Sequence, residues 1–115
     1  MQPVIANRGG AADTRPGSIE GAIRDAQDGA PLAGATLVVS RPRQGPVGSA
    51  VITDERGRYR FGALASGTYI VTLYYSDFQL EITDVTVNAA TSTRLDKRID
   101  PRKGGEAHRE RCCVP

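Results

Sequence analysis

From residue 18 to residue 100 the apolar side chains recur at close to every second position, and each run stops at glycine, proline or aspartate. A period of two belongs to a strand buried on one face, so the chain is constrained to sheet before anything else is known. In "SIEGAIRD" Ile19, Gly21 and Ile23 share a face, and "AQDGAPLAG" turns on Asp28, Gly29 and Pro31. In "GATLVVS" Ala35, Leu37 and Val39 point one way, and a Pro- and Gly-rich loop follows at "RPRQGPVG". The run "SAVITDERGRYRF" predicts a hairpin, with Val51 and Thr53 on one arm, Tyr59 and Phe61 on the other, and Gly57 at the left-handed turn position. "GTYIVTLYY" alternates Tyr69, Val71 and Leu73 against threonines and Ile70 and is long enough for a central strand. "FQLEITDVTVN" and "STRLDKRI" add two more, facing in through Val85, Val87, Leu95 and Ile99. About seven short strands with no helical stretch predict an all-β sandwich.

The 115 residues and 39% apolar content allow one modest core. Composition divides the chain into an N-terminal arm (1–17), the sandwich domain (18–100) and a charged C-terminal tail (101–115). The formal net charge of +2 is too small to predict a nucleic-acid partner, and it sits wholly from Asp96 onward in a mixed run with no interleaved aromatic residue. No apolar run approaches the length of a transmembrane helix, and the first residues lack the charged and apolar regions of a signal peptide. The expectation is a soluble chain.

The succession "GSIEGAIRDAQDGAPLAGATLVV", "TDERGRYRFGALASGTYIVTLYYSDFQ" and "VTVNAATSTRLD" resembles the carboxypeptidase regulatory-like domain, which is related to the collagen-binding-protein B-type repeats. The resemblance covers the domain and neither arm. It implies a seven-stranded, transthyretin-like Greek-key sandwich, to which the composition adds extended N- and C-terminal arms. It further implies a non-catalytic accessory, binding or structural role in secreted, periplasmic or surface proteins. Each matched residue has a structural reason: glycines for turns, and Tyr59, Phe61 and Tyr69 for the core. The motif therefore specifies a fold, and function has to be argued from sites.

No catalytic set is apparent and no cofactor is expected, because the single histidine, His108, falls in the charged tail, away from any base-and-nucleophile pair. His108 with Cys112 and Cys113 is an incomplete metal set, since structural zinc takes four ligands. An isopeptide bond is disfavoured because the first strand carries Arg24 and the lysines are Lys97 and Lys103. Lys97 nonetheless falls on the inward phase, and snorkelling to solvent is the expected outcome. Tyr74 and Tyr75 are the candidates for a carbohydrate platform. Adjacent Cys112 and Cys113 would close a strained ring if paired, which favours disulfides to other molecules. Pro3, Val4 and Ile5 are candidates for adding a strand to a neighbouring copy.

The function these features predict is a non-catalytic extracellular or cell-envelope structural subunit that assembles with itself through its arms and intermolecular disulfides, a filament being one form of that assembly. The alternative is a monomeric accessory module binding carbohydrate or an envelope protein.

Overall fold

The computed structural model describes residues 14–48 and 50–112. Two sheets face each other across an apolar core. Strand β1 (Gly17–Asp25) is the centre of the smaller, four-stranded sheet. It pairs antiparallel with β5 (Arg58–Leu64) on one side. On its other side it pairs parallel with β8 (Ser92–Arg94) and β9 (Lys97–Ile99). The larger sheet is built on β2 (Thr36–Arg41), β6 (Gly67–Tyr75) and β7 (Phe78–Val87), all antiparallel. Two-residue strands β3 (Gly45–Pro46) and β4 (Val51–Ile52) flank β2. This is the all-β sandwich that the alternation predicts, and it is compatible with the transthyretin-like fold that the resemblance implies.

The inward phase is the expected one. Ile19, Ile23, Leu37, Val39, Tyr69, Val71, Leu73, Val85 and Val87 are all essentially inaccessible. Burying one such side chain contributes about 2 kcal/mol, so the ladder of alternate positions is what drives the sheets together.

Two features differ from the sequence reading. The predicted hairpin at 49–61 is, over its described residues 50–61, an arch between sheets: Val51 and Ile52 pair with Leu37 and Thr36, whereas Arg58–Leu64 pairs with β1. The turn itself is as expected. The Asp54 carboxylate accepts from Arg56 N and Arg58 N, each at 2.9 Å, and Gly57 has φ +74°. A strand pair read from sequence spacing alone cannot say that its arms belong to different layers.

The second difference is the segment after residue 100, expected as a solvated tail. A short 3₁₀ turn at Pro101–Lys103 leads into β10 (Ala107–Arg111), which adds parallel to β7 as the edge of the six-stranded sheet. Its inward positions are polar, which is why alternation of apolar residues does not reveal it. His108 stacks on Phe78 with ring centroids 4.9 Å apart, Glu110 pairs with the Lys97 ammonium, and the Cys112 N–H donates to Thr83 O at 2.7 Å. Outward, Arg109 Nε donates to Glu81 at 2.6 Å and Arg111 Nε to Asp84 at 2.9 Å. Arg102 also bonds Asp25 at 2.8 Å, tying the turn back to β1. Lys97 thus stays partly exposed, as snorkelling requires, and its ammonium meets the half-exposed Glu110 carboxylate, a partner the sequence does not reveal.

Candidate binding surface

The outward positions of the smaller sheet come from three separate runs that β1 brings side by side. Glu20 stands between Arg60 on β5 and Arg94 on β8, and Arg24 stands opposite Arg98 on β9. Ala22 is opposite Arg58. Ala22 is outward in phase yet only 6% exposed, because longer side chains rise around it. The result is an open trough of about 750 Å³ lined by Glu20, Ala22, Arg24, Ile52, Arg58, Arg60 and Arg94. Its floor continues into a second hollow of about 450 Å³ lined by Ala22, Arg24, Arg94, Asp96, Lys97 and Arg98.

Charge is unevenly distributed along this face. In the first row Arg60 and Arg94 both approach Glu20, at 3.7 and 3.9 Å, and Arg94 Nε donates to Asp96 at 3.0 Å. Burial pushes the Asp96 carboxyl up, but the Arg94 guanidinium and the Ala22 N–H together hold it below the ordinary carboxylate value. Asp96 in turn raises Arg94. Beyond that row Arg24, Arg58 and Arg98 form no close ion pair among the described residues. The Arg24 guanidinium donates to the Gly29 carbonyl at 3.2 Å. Three exposed guanidiniums on neighbouring strands therefore lack a close ion pair, with Asp96 acting on Arg24 and Asp54 on Arg58 only through longer-range attraction.

The floor beneath them is rigid for a specific reason. Between β8 and β9 the chain dips inward: Leu95 N donates to Glu20 O at 2.8 Å, and Asp96 Oδ1 takes the next ladder position by accepting from Ala22 N at 2.9 Å. The Leu95 carbonyl accepts from the buried Tyr59 hydroxyl at 2.6 Å. That hydroxyl titrates far above its usual range, chiefly because it is buried and also because Asp96 is near.

The residues singled out in the sequence are distributed differently. Tyr74 is 41% exposed on the outer face of the larger sheet, in a transverse row with Gln79, Thr36 and Ile52. Tyr75, its neighbour, points to the opposite side and packs against the core, so the two do not make one aromatic platform. The loop "RPRQGPVG" lies at the other end of β2 from Thr36; its Arg41 is spent on Tyr69, donating to the hydroxyl at 3.0 Å, and its Val47 packs on the core. Cys112, expected in a solvated tail, is 5% exposed within the core cluster and is disulfide-bonded. A disulfide sulfur is not the thiolate that zinc requires. His108 Nε2 lies 3.1 Å from the Lys103 carbonyl, and no metal-holding cluster occurs among the described residues. Pro3, Val4, Ile5 and Cys113 lie outside the described residues. No helix is long and apolar enough to cross a membrane among the described residues.

The arginines were legible individually as the polar phase of "RYRF" and "RLDKRI". What the sequence lacks is the strand order that puts three such runs beside one another.

A family model described as "carboxypeptidase regulatory-like domain" matches residues 18–99. No curated protein matches the chain. Among solved structures, the chain is similar to a putative carbohydrate binding protein from Bacteroides uniformis. That similarity has 25% identity and a TM-score of 0.55 and covers 71% of this chain and 40% of that one. It is similar to the major pilin subunit BcpA of Bacillus cereus, with 17% identity and a TM-score of 0.57 over 75% of this chain and 30% of that one. It is also similar to 5-hydroxyisourate hydrolase of Klebsiella pneumoniae, with 20% identity and a TM-score of 0.55 over 73% of this chain and 90% of that one. The chain thus spans less than half the length of the first two, and the latter two likenesses concern the fold alone.

Proposed function

Because the chain belongs to the carboxypeptidase regulatory-like domain family, we propose that it works outside the cytoplasm as a non-catalytic accessory module that holds a ligand on an outward sheet face. The family and the similar structures together support a non-catalytic structural or binding module. The observation that carries the binding form is the arginine-walled trough, in which Arg24, Arg58 and Arg98 are exposed and form no close ion pair among the described residues. Unpaired, pre-positioned polar groups on a rigid sheet are what a ligand site needs. The likeness to a putative carbohydrate binding protein supports the same choice. Nothing in the site resembles nucleophilic machinery, since His108 contacts a backbone carbonyl and a phenyl ring.

Self-assembly through the arms and intermolecular disulfides is the competing reading. Buried, bonded Cys112 is poorly placed to serve it. Native gels of the full chain with and without reductant, beside affinity electrophoresis against a panel of neutral and acidic polysaccharides, separate the two. The binding reading expects one monomer band in both lanes and retardation by at least one polysaccharide. A ladder that collapses on reduction, with no retardation by any polymer, would replace it with the structural-subunit reading.

A further inference from the structure

We propose that the ligand of the trough is an acidic polysaccharide, a chain of sugars bearing carboxylate or sulfate groups, gripped by Arg24, Arg58 and Arg98. This rests on the reading that the smaller sheet's outward face is the binding surface, and it adds the ligand's chemistry.

Four observations select that class. The three guanidiniums stand on three adjacent strands: Arg24 and Arg98 are directly opposite, across the roughly 4.8 Å between strands, and Arg58 lies opposite Ala22, offset from Arg24 along β1. They are set across the sheet, so an anion on successive or alternate residues of an extended polymer can meet each in turn. A guanidinium presents a planar fork that matches carboxylate and sulfate oxygens in pairs, which a lysine cannot do.

The trough is open along its length, continuing from the Ile52 and Arg58 end over Ala22 to the Asp96 and Arg98 end. An open channel suits a polymer threaded over the surface better than a small molecule, which needs enclosure.

Glu20 and Asp96 lie among the arginines and remain hydrogen-bond acceptors at the surface. Sugars bring hydroxyl donors that such acceptors can take, and their anions lie beside the unpaired arginines. A uniformly anionic chain without hydroxyls would instead meet three like charges, Glu20, Asp54 and Asp96.

The face also lacks aromatic side chains: Tyr59 is buried with its hydroxyl turned to Leu95. Single-stranded nucleic acid relies on stacking platforms, and protein partners on buried aromatic anchors, and neither is provided here.

The test is affinity electrophoresis and direct titration of the full chain with polygalacturonate and alginate (carboxylate), chondroitin sulfate (sulfate), a neutral glucan, poly-glutamate and single-stranded DNA. The expected result is retardation by one or both acidic polysaccharide types and none by the glucan. Comparing the carboxylate with the sulfate polymers identifies the source of the anion. Binding should weaken steeply as salt rises from about 0.05 to about 0.5 M, because exposed charge contacts are screened. In R24Q/R58Q/R98Q affinity should fall about tenfold or more, since each loses a charge-assisted contact. The lysine triple, which keeps charge but not the fork, should fall in between. If the glutamine triple unfolds, R58Q and R98Q singly carry the same test, each with a smaller loss.

Unchanged affinity in folded variants overturns the proposal. So does equal retention by poly-glutamate or DNA. Retardation by the neutral glucan alone would overturn the ligand class while leaving the binding role intact; no retardation by any polymer would remove both.

Discussion

Gly21 has a hydrogen where any other residue has a side chain, and the Leu95 carbonyl occupies that space: a Cβ there would stand 1.9 Å from the oxygen. The obstruction is backbone, which cannot swing aside. Gly21→Ala should therefore destabilise the fold by about 3 kcal/mol, read as a shift in the urea midpoint at constant slope. Tyr59→Phe tests the same junction more gently. It leaves the Leu95 carbonyl buried without its donor and should cost roughly 1–2 kcal/mol. Acid sensitivity belongs here too. Asp25 is held below the usual carboxylate range mainly by Arg102, and Asp54 mainly by the Arg58 N–H. Depressed folded-state values mean that the stability these groups give is complete above the ordinary carboxylate pKa of about 3.9 and is lost as pH falls through their lowered values. Urea midpoints should thus be flat toward neutrality and drop in acid, and less steeply for Asp25→Asn. The role of Gly21 was half visible in the sequence, where it sits in phase with Ile19 and Ile23; the oxygen that demands it comes from a residue 74 positions on.

Strands β1, β2, β6 and β7 declare themselves because their inward residues are apolar. Strand β10 does not, because its inward residues are His108, Glu110 and Cys112 and their partners, Phe78, Lys97 and the core, are fixed only after folding. Lys97 was the available hint, an inward charge in search of an opposite one. The arch at 50–61 was hidden differently, since the same turn chemistry serves a hairpin and a sheet-to-sheet crossing. If β10 closes the edge beside Phe78 and Leu80 as described, a chain ending at Gly105 should melt roughly 10 °C lower, the shift that a loss of about 2 kcal/mol gives in a domain of this size. A fall of only a degree or two in calorimetry would make β10 an ornament of the edge rather than part of its closure.

At the scale of the whole molecule the two outer faces differ in kind. The larger sheet shows threonine, Val38, Ile70 and Tyr74 to solvent, with its outward arginines, Arg109 and Arg111, each paired to an acid at the β7–β10 edge, whereas the smaller shows a field of arginines with interleaved acids. The net charge of +2 conceals this, because total charge says nothing about which strands lie adjacent. A ligand bound only by the folded chain stabilises it by mass action, so a saturating acidic polysaccharide should raise the melting temperature of the native chain and leave that of R24Q/R58Q/R98Q unmoved.

The parallel pairing of β1 with β8 and β9 has a mechanical consequence. Force applied between Gly17 and Ile99 pulls these strands in opposite directions along their common axis. The ladder bonds, the Leu95 link to Glu20 and the Asp96 link to Ala22 are then loaded together in shear rather than opened one at a time. A module that grips an extended polymer while its own backbone is under tension would thus yield abruptly and at high load. Asp96→Ala, which removes one of the shared bonds, should lower the rupture force in single-molecule extension.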